Sequence, residues 1–346
     1  MTENGKADDA RLADLAAPTT GSPSWNPEEL VLALGREVLG DSAVTLDDSF
    51  SFDGDSAPLM SLIARVAAAT GITLPASKVL RQKNLREIAA LLGSENGTEG
   101  GISRDPDPCY ADPRLARIYD AFAGDREDLT AYVEIADQLG ADKILDVGCG
   151  TGTLALLLAE GGRTVVGVDP AAACVEIAKS KDRTQQVTWI QGDATSVPGL
   201  GSDLAVMTGH VAQVIFAEDD WKRTLQGVHD ALRPGGHLVF ETRRPEGRPW
   251  ERWAANDAPY VLDIPGIGPV AQRCEVTDVS LPLVSVRYTY EFEVDGEILV
   301  SDSIIRFRDR DEVELTLAAH GYRVVEVREA PDRPGRELVF IAQRAD

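Results

Sequence analysis

The stretch Ile144-Leu145-Asp146-Val147-Gly148-Cys149-Gly150-Thr151-Gly152 admits few folds. The mostly apolar run from Ile144 to Val147 reads as a buried parallel strand. It breaks into three alternating glycines, and helix-period apolar residues resume from Leu154 to Ala159. Glycine suits such a turn because a ligand can approach backbone that a Cβ would shield. A second strand, Val165-Val166-Gly167-Val168, follows and ends in Asp169. An acid in that place takes ribose hydroxyls in nucleotide-binding strand–helix–strand units.

Charge and spacing narrow the ligand. A dinucleotide fingerprint puts a third Gly or Ala five residues after the first, where this chain has Thr153. Asp146 stands two residues before the first glycine, directed at the same turn. A carboxylate there repels the pyrophosphate that such turns otherwise hold through backbone N–H groups. It attracts a ligand carrying an ammonium and a sulfonium, which is S-adenosylmethionine (SAM). A sugar nucleotide or NAD is the alternative, and the missing third glycine counts against it.

Four motifs in order are ILDVGCGTG, VVGVDP, QGDATSVP (191–198) and LRPGGHLVFETR (232–243). Together they make residues 110–346 resemble a class I SAM-dependent methyltransferase. The resemblance implies an α/β fold, a Rossmann-like seven-stranded sheet that is mostly parallel, with an antiparallel last hairpin. It implies a cofactor set as well. Asp146, Gly148 and Gly150 would surround the methionine end, Asp169 would bind the ribose and Asp193 the adenine amino group, with Gly152 and Ala194 also cofactor-binding. Segments 204–207, 237–241, 322–327 and 337–343 read as the remaining strands.

Upstream, residues 1–24 are polar and read as a disordered tail. Order is expected from Asn26-Pro27-Glu28-Glu29, a cap, a first-turn proline and two acids against the helix dipole. Leu30, Leu34 and Val38 then share one face. A second helix starts at or just beyond Ser56, with Leu59, Leu62, Ile63 and Val66 inward, and a third runs from Asn84 to Leu92. DDSFSFDGDSAPLMSLIARV resembles the heart of a peptidyl or acyl carrier (thiolation) domain, placing a small all-α bundle at 25–92. By that resemblance Ser56 carries covalent 4′-phosphopantetheine, installed by a phosphopantetheinyl transferase and charged by an adenylating or acyl-loading enzyme. Asp53 and Ala57 depart from the family pattern, and the alternative is that Ser56 only caps a helix. Residues 93–107, rich in glycine and acids, read as a linker to the methyltransferase region at 108–346.

Composition excludes some partners. A net charge of −23 disfavours nucleic-acid backbones and anionic membranes. The first residues are acidic without an apolar run, so a cytoplasmic protein with reduced thiols is expected. Cys109, Cys149, Cys174 and Cys274 are scattered, without metal-ligand spacing.

Substrate groups are sought beyond the carboxyl ends of the strands. After 204–207 comes His210, a candidate general base or substrate hydrogen-bond partner, with Gln213 close by and a structural role as the alternative. After 237–241 comes Arg243, a candidate for holding a carboxylate or the pantetheine phosphate, with pairing to Glu241, Glu246 or Glu251 as the alternative. Trp250 and Trp253 are candidate pocket walls. Tyr119 lies in a Tyr-Asp stretch that resembles the segment folding over the cofactor in many such enzymes, though it can equally pack a helix. Residues 258–308 alternate as antiparallel strands with a hairpin at Asp295-Gly296, resembling a substrate-capping insertion or a sheet that pairs between subunits.

The function expected is methylation of a carrier-tethered amino acid or acyl thioester in nonribosomal-peptide or polyketide-type metabolism, such as antibiotic biosynthesis. Two alternatives stand beside it. One is methylation of a free small molecule, with the carrier serving another step. The other is a non-catalytic docking module.

Overall fold

The computed structural model describes residues 26–48, 57–70, 72, 74, 79, 82–94, 105–255 and 258–345. The chain divides into two compact units, of which the second begins at Asp105. The first contains α1 (Pro27–Leu39), α2 (Ala57–Thr70) and α3 (Leu85–Ser94). Asn26 caps α1 by accepting from the Glu28 amide at 2.9 Å, and Asn84 accepts from the Glu87 amide at 3.0 Å to start α3. Leu30, Val31 and Leu34 of α1, Leu59, Leu62, Ile63 and Val66 of α2, and Leu85, Ile88 and Leu92 of α3 are buried. Gly35 lets α1 meet α3 closely, since a Cβ there would stand 2.6 Å from Leu85 Cδ1. Val38, expected inward, is half-buried. Helix α3 runs two residues further than the sequence suggests, through Gly93 to Ser94. Ser56, Asp53 and most of the 93–107 linker lie outside the described residues.

The second unit opens with α4 (Pro108–Ala111), α5 (Pro113–Ala123) and α6 (Thr130–Gln138). It continues through β1 (Lys143–Val147), α7 (Thr153–Glu160), β2 (Thr164–Asp169), α8 (Ala172–Lys181) and β3 (Val187–Gln191). Next come β4 (Ser202–Met207), α9 (Val211–Val214), α10 (Glu218–Ala231), β5 (Leu232–Arg243) and α11 (Pro249–Ala254). Strands β6 (Tyr260–Ile264), β7 (Gly268–Ser280), β8 (Leu283–Phe292) and β9 (Ile298–Arg306) form a separate antiparallel sheet. Helix α12 (Arg310–Ala319), β10 (Tyr322–Glu329) and β11 (Glu337–Arg344) complete the chain.

The main sheet has the order β10-β11-β5-β4-β1-β2-β3. Strand β11 runs antiparallel to both β5 and β10, and the other pairings are parallel. The strand order reverses at β1, which is paired on one side with β2 and on the other with β4. That switch point opens a crevice at the carboxyl ends of the strands, where open α/β sheets bind ligands.

Alternation along the strands decides which side chains reach that crevice. Leu145, Val147, Ala205, Met207, Leu238, Phe240 and Phe340 join one core with Trp221 and Leu225 of α10. Ile144, Leu204, Val206, Val239, Val339 and Ile341 join the opposite core with α6 and α7. By the period of two, Asp146, Glu241, Arg243 and Glu337 fall on this second face, at the strand ends where the apolar pattern stops.

Candidate active site

The glycine turn is held by backbone from β2: Val168 O accepts from the Gly148 and Cys149 amides at 2.8 and 3.2 Å. Asp169, 8 % exposed, accepts from the Gly150 amide at 2.8 Å and from the Ala171 amide at 2.8 Å. Its carboxyl is pushed up by burial, and those two amides pull against the shift. The three glycines have positive φ but different duties. A Cβ on Gly148 would stand 2.4 Å from Val211 Cγ2, and one on Gly152 would stand 2.5 Å from the Trp189 ring and 2.8 Å from Ala178 Cβ. At Gly150 a Cβ would meet nothing within 4 Å. Gly150 therefore borders open space, and Gly152 serves helix packing.

Asp146 is the unusual group. It is 1 % exposed, and neither carboxylate oxygen has a hydrogen-bond partner. Burial pushes its pKa up to about 7, and the nearby Asp169 adds to the rise; Arg126 and the Ala155 amide oppose it. A buried acid with no donor in hydrogen-bond geometry is costly, and the Ala155 amide and Arg126 offset that cost only in part. A cationic ligand at the turn would relieve that cost, so the residues here fit SAM.

Asp193 follows β3 and caps a short 3₁₀ turn, accepting from the Thr195 amide at 2.7 Å. Ala194 is buried against α10, where a Cβ on Gly227 would stand 2.7 Å from the Ala194 carbonyl carbon. Helix α5 is fastened over the turn. Its Asp120 accepts from the Thr151 hydroxyl and pairs with Lys181, which in turn donates to Thr151 O at 3.0 Å. Tyr119, one residue earlier, has its phenol raised to about 12 by burial, and its ring lies 5.6 Å from that of Tyr110.

Tyr119 and His210 border a cavity of about 600 Å³ enclosed by α5, α6, the ends of β5 and β11, and the antiparallel sheet. Its volume lies within the range of small-molecule sites. Seven aromatic residues line it, among them Tyr132, Trp253, Tyr288 and Tyr290. Trp250, a sequence candidate for the wall, instead packs on Phe307 with ring centroids 4.8 Å apart and is core.

His210 is neither free nor solvated. Its φ of +69° is rare for a residue with a Cβ, and the Glu241 carboxylate holds it there by accepting its amide at 2.8 Å. Arg243 Nη2 lies 3.1 Å from Nδ1, and Glu337 Oε1 lies 2.9 Å from Nε2. Guanidinium nitrogen only donates, so Nδ1 accepts and Nε2 carries the proton that goes to Glu337. Arg333, 3.2 Å from the same Nε2, donates to Glu337 at 3.0 Å instead. Burial and then the Arg243 charge lower the His210 pKa, keeping the ring neutral. The ring has no spare lone pair for a substrate proton, which argues against the general-base role and for a structural one.

Arg243 is equally committed. It donates to Gln213 Oε1 at 3.0 Å, stands 3.6 Å from Glu337 and lies over the Trp253 ring at 5.3 Å. Glu337 is the hub: burial would raise its pKa, but His210, Arg333 and Arg243 outweigh that and bring it down to about 2. Tyr132 donates its phenol to Glu241 on the opposite wall. Sequence reasoning missed Tyr132, Arg126, Arg333 and Glu337 as site residues. Glu241 and Glu337 did leave a trace, being charges at inward positions of otherwise apolar strands. Among the described residues no group of three or more His, Cys, Asp or Glu could hold a metal, and no helix is long and apolar enough to cross a membrane.

Comparison with known proteins bears on this geometry. The family described as Methyltransferase domain matches residues 144–236, and that described as Phosphopantetheine attachment site matches 29–92. Residues 144–236 thus match a methyltransferase domain, set in a sheet of the class I methyltransferase type, and residues 29–92 ahead of them match a phosphopantetheine attachment site. A methyltransferase of Geobacillus sp. (strain WCH70) is 36% identical over 105 residues, which span 30% of this chain and 42% of the relative. The cypemycin N-terminal methyltransferase of a Streptomyces species is 26% identical over 143 residues, spanning 40% and 58%. The chain thus spans about half the length of the curated relatives it matches. Among solved structures, SAM-bound CalS10, an amino pentose methyltransferase of Micromonospora echinaspora involved in calicheamicin biosynthesis, shares the fold. Its TM-score is 0.52 at 20% identity, over 66% of this chain and 97% of that one.

Proposed function

We propose that this carrier–methyltransferase moves the methyl group of SAM to an amino acid or acyl group held as a thioester on a phosphopantetheine arm, in nonribosomal-peptide or polyketide-type metabolism. The observation that carries the reading is the presence of an attachment-site module and a methyltransferase domain in one chain. Tethering raises the effective concentration of a loaded arm to the order of millimolar, so one polypeptide gains most when its carrier presents the acceptor. The named roles of the relatives, in making cypemycin and calicheamicin, favour secondary metabolism.

When bound, SAM supplies an electrophilic methyl carbon on a sulfonium. Asp146 offers a desolvated negative charge to the cationic end, and Asp169 offers its remaining lone pairs to the ribose. Asp193, at the carboxyl end of β3, lies where the adenine edge would come, and its carboxylate caps the following turn. The α5 latch through Asp120 keeps water from the methionine end, with Tyr119 as cover. The His210–Arg243–Glu337 network fixes the far wall, so the chain contributes alignment and water exclusion, which can supply a large share of the rate. On this reading His210 and Arg243 are positioning residues.

The test compares one acid in two forms, free and loaded on the holo chain, by intact-protein and product mass after addition of SAM. The expected result is a methyl gain on the loaded arm, much faster than on the free acid. Equal rates, or an equal pantetheine gain by wild type and Ser56→Ala, would overturn the reading.

A further inference from the structure

We infer that the acceptor atom is the amine of an aminoacyl thioester, selected because the cavity is electronegative and aromatic and rejects a free carboxylate. The inference rests on the carrier-tethered reading above and narrows it.

Eight carboxylates and four guanidiniums line the cavity, a formal balance of −4. The guanidiniums are already engaged. Arg126 holds Asp128 through two contacts of 2.9 Å, Arg243 and Arg333 share Glu337, and Arg328 grips Glu326. None is left to bind an incoming carboxylate without giving up an acid. The surplus lies in the carboxylates. Among the described residues no ion pair reaches Asp125, Glu127 or Glu134, three exposed acids at the mouth. Deeper in, Glu241 and Glu337 are buried, and Tyr119, Tyr132, Tyr288 and Tyr290 present rings.

Acids around aromatic faces are the chemistry that draws in a cation. An α-amino group arrives mostly as ammonium, so the mouth attracts it. At the solvent-open mouth it must lose one proton to bulk water before its lone pair can attack. The N–C bond then forms as the C–S bond breaks, the sulfonium becomes a neutral thioether, and the new N-methylammonium sheds a proton on release. A free amino acid brings a carboxylate into the same negative cavity. The thioester hides that charge, so loading on the carrier itself becomes the mark of a correct substrate. An acyl group without an amine would gain nothing from this lining.

The test uses full-length chain and a panel of amino acids in three forms: free acids, N-acetylcysteamine thioesters, and the matching acyl thioesters without the amine. The expected result is methylation of one or more aminoacyl thioesters, with the free acid slower by about tenfold or more at low salt. That preference should shrink as ionic strength rises. The double variant Asp125→Asn/Glu134→Gln, altered only at the mouth, should raise KM for the thioester by roughly two- to fivefold and leave kcat unchanged. Methylation of an acyl thioester lacking an amine, equal use of the free acid, or no turnover of any aminoacyl member would overturn the inference. SAM binding and pantetheine uptake are measured separately. Loss of either counts against the carrier–methyltransferase reading, whereas their persistence without amine preference counts only against the amine.

Discussion

The two ends of this site are built on opposite plans. At the cofactor end, backbone does most of the work: three glycines, four amides on Val168 O and the Asp169 carboxylate, and one buried carboxylate without a partner. At the acceptor end, side chains from four elements saturate each other, and Glu337 alone serves His210, Arg333 and Arg243. The first end is incomplete until a cation arrives. The second is complete in advance. A donor that is the same in every turnover can supply the missing charge, whereas a variable acceptor needs walls that are already rigid.

The difference can be broken most forcefully at the hub. Glu337→Ala leaves Arg243 and Arg333 without their shared acid, and should cost about 3–5 kcal/mol in urea unfolding. A loss under about 1 kcal/mol would mean the network is solvated. Asp146 should behave oppositely. Its folded pKa of about 7 stands above the ordinary aspartate value of 3.8, so the ligand-free protein loses stability as pH rises through that window. The full penalty is on the order of 4 kcal/mol. Asp146→Asn should therefore stabilise the ligand-free chain at pH 8, with the gain vanishing near pH 4. Glu337, held down near 2, adds stability that fades only as pH falls from 4.5 toward that value. Unfolding curves across pH 2–8 separate the two slopes.

Glycine substitutions sharpen the contrast inside the turn. Gly152→Ala drives a Cβ into Trp189 and should cost about 2–3 kcal/mol, measured by thermal unfolding. Gly150→Ala should cost only about 1 kcal/mol yet reduce SAM affinity more. The reverse order would place the ligand elsewhere. The smallest effect is expected at His210. His210→Gln keeps a donor and an acceptor, so kcat should fall only a few-fold with an unchanged pH profile. A loss of about 10²–10⁴ would restore it as general base.

Much of this was legible in the chain. The glycine turn, Asp169 and the antiparallel insertion follow from local patterns, and the insertion spans 260–306 against the expected 258–308. Helix starts at Asn26 and Asn84 were readable because capping is local. The acceptor wall was not. Glu337 meets His210 across 127 residues, and Tyr132 meets Glu241 across 109, so no spacing rule joins them. The sequence left His210 and Arg243 each between a substrate role and a structural one for the same reason. Each has its partners on distant strands, and only the register of β5 with β11, which sets Arg243 opposite Glu337, brings them together. Gly152 looked like its neighbours until Trp189 of β3 stood against it.

The account depends on an unpartnered acid beneath a glycine bend choosing a cationic donor. Isothermal titration calorimetry of SAM between pH 5.5 and 8.5 tests that most directly. Affinity should rise by roughly tenfold per pH unit below 7 and then level off, with proton release in that window. Asp146→Asn should bind weakly and without pH dependence, and NAD should give no heat. SAM binding indifferent to pH and to Asp146, or NAD competing with SAM for the bend, would contradict it.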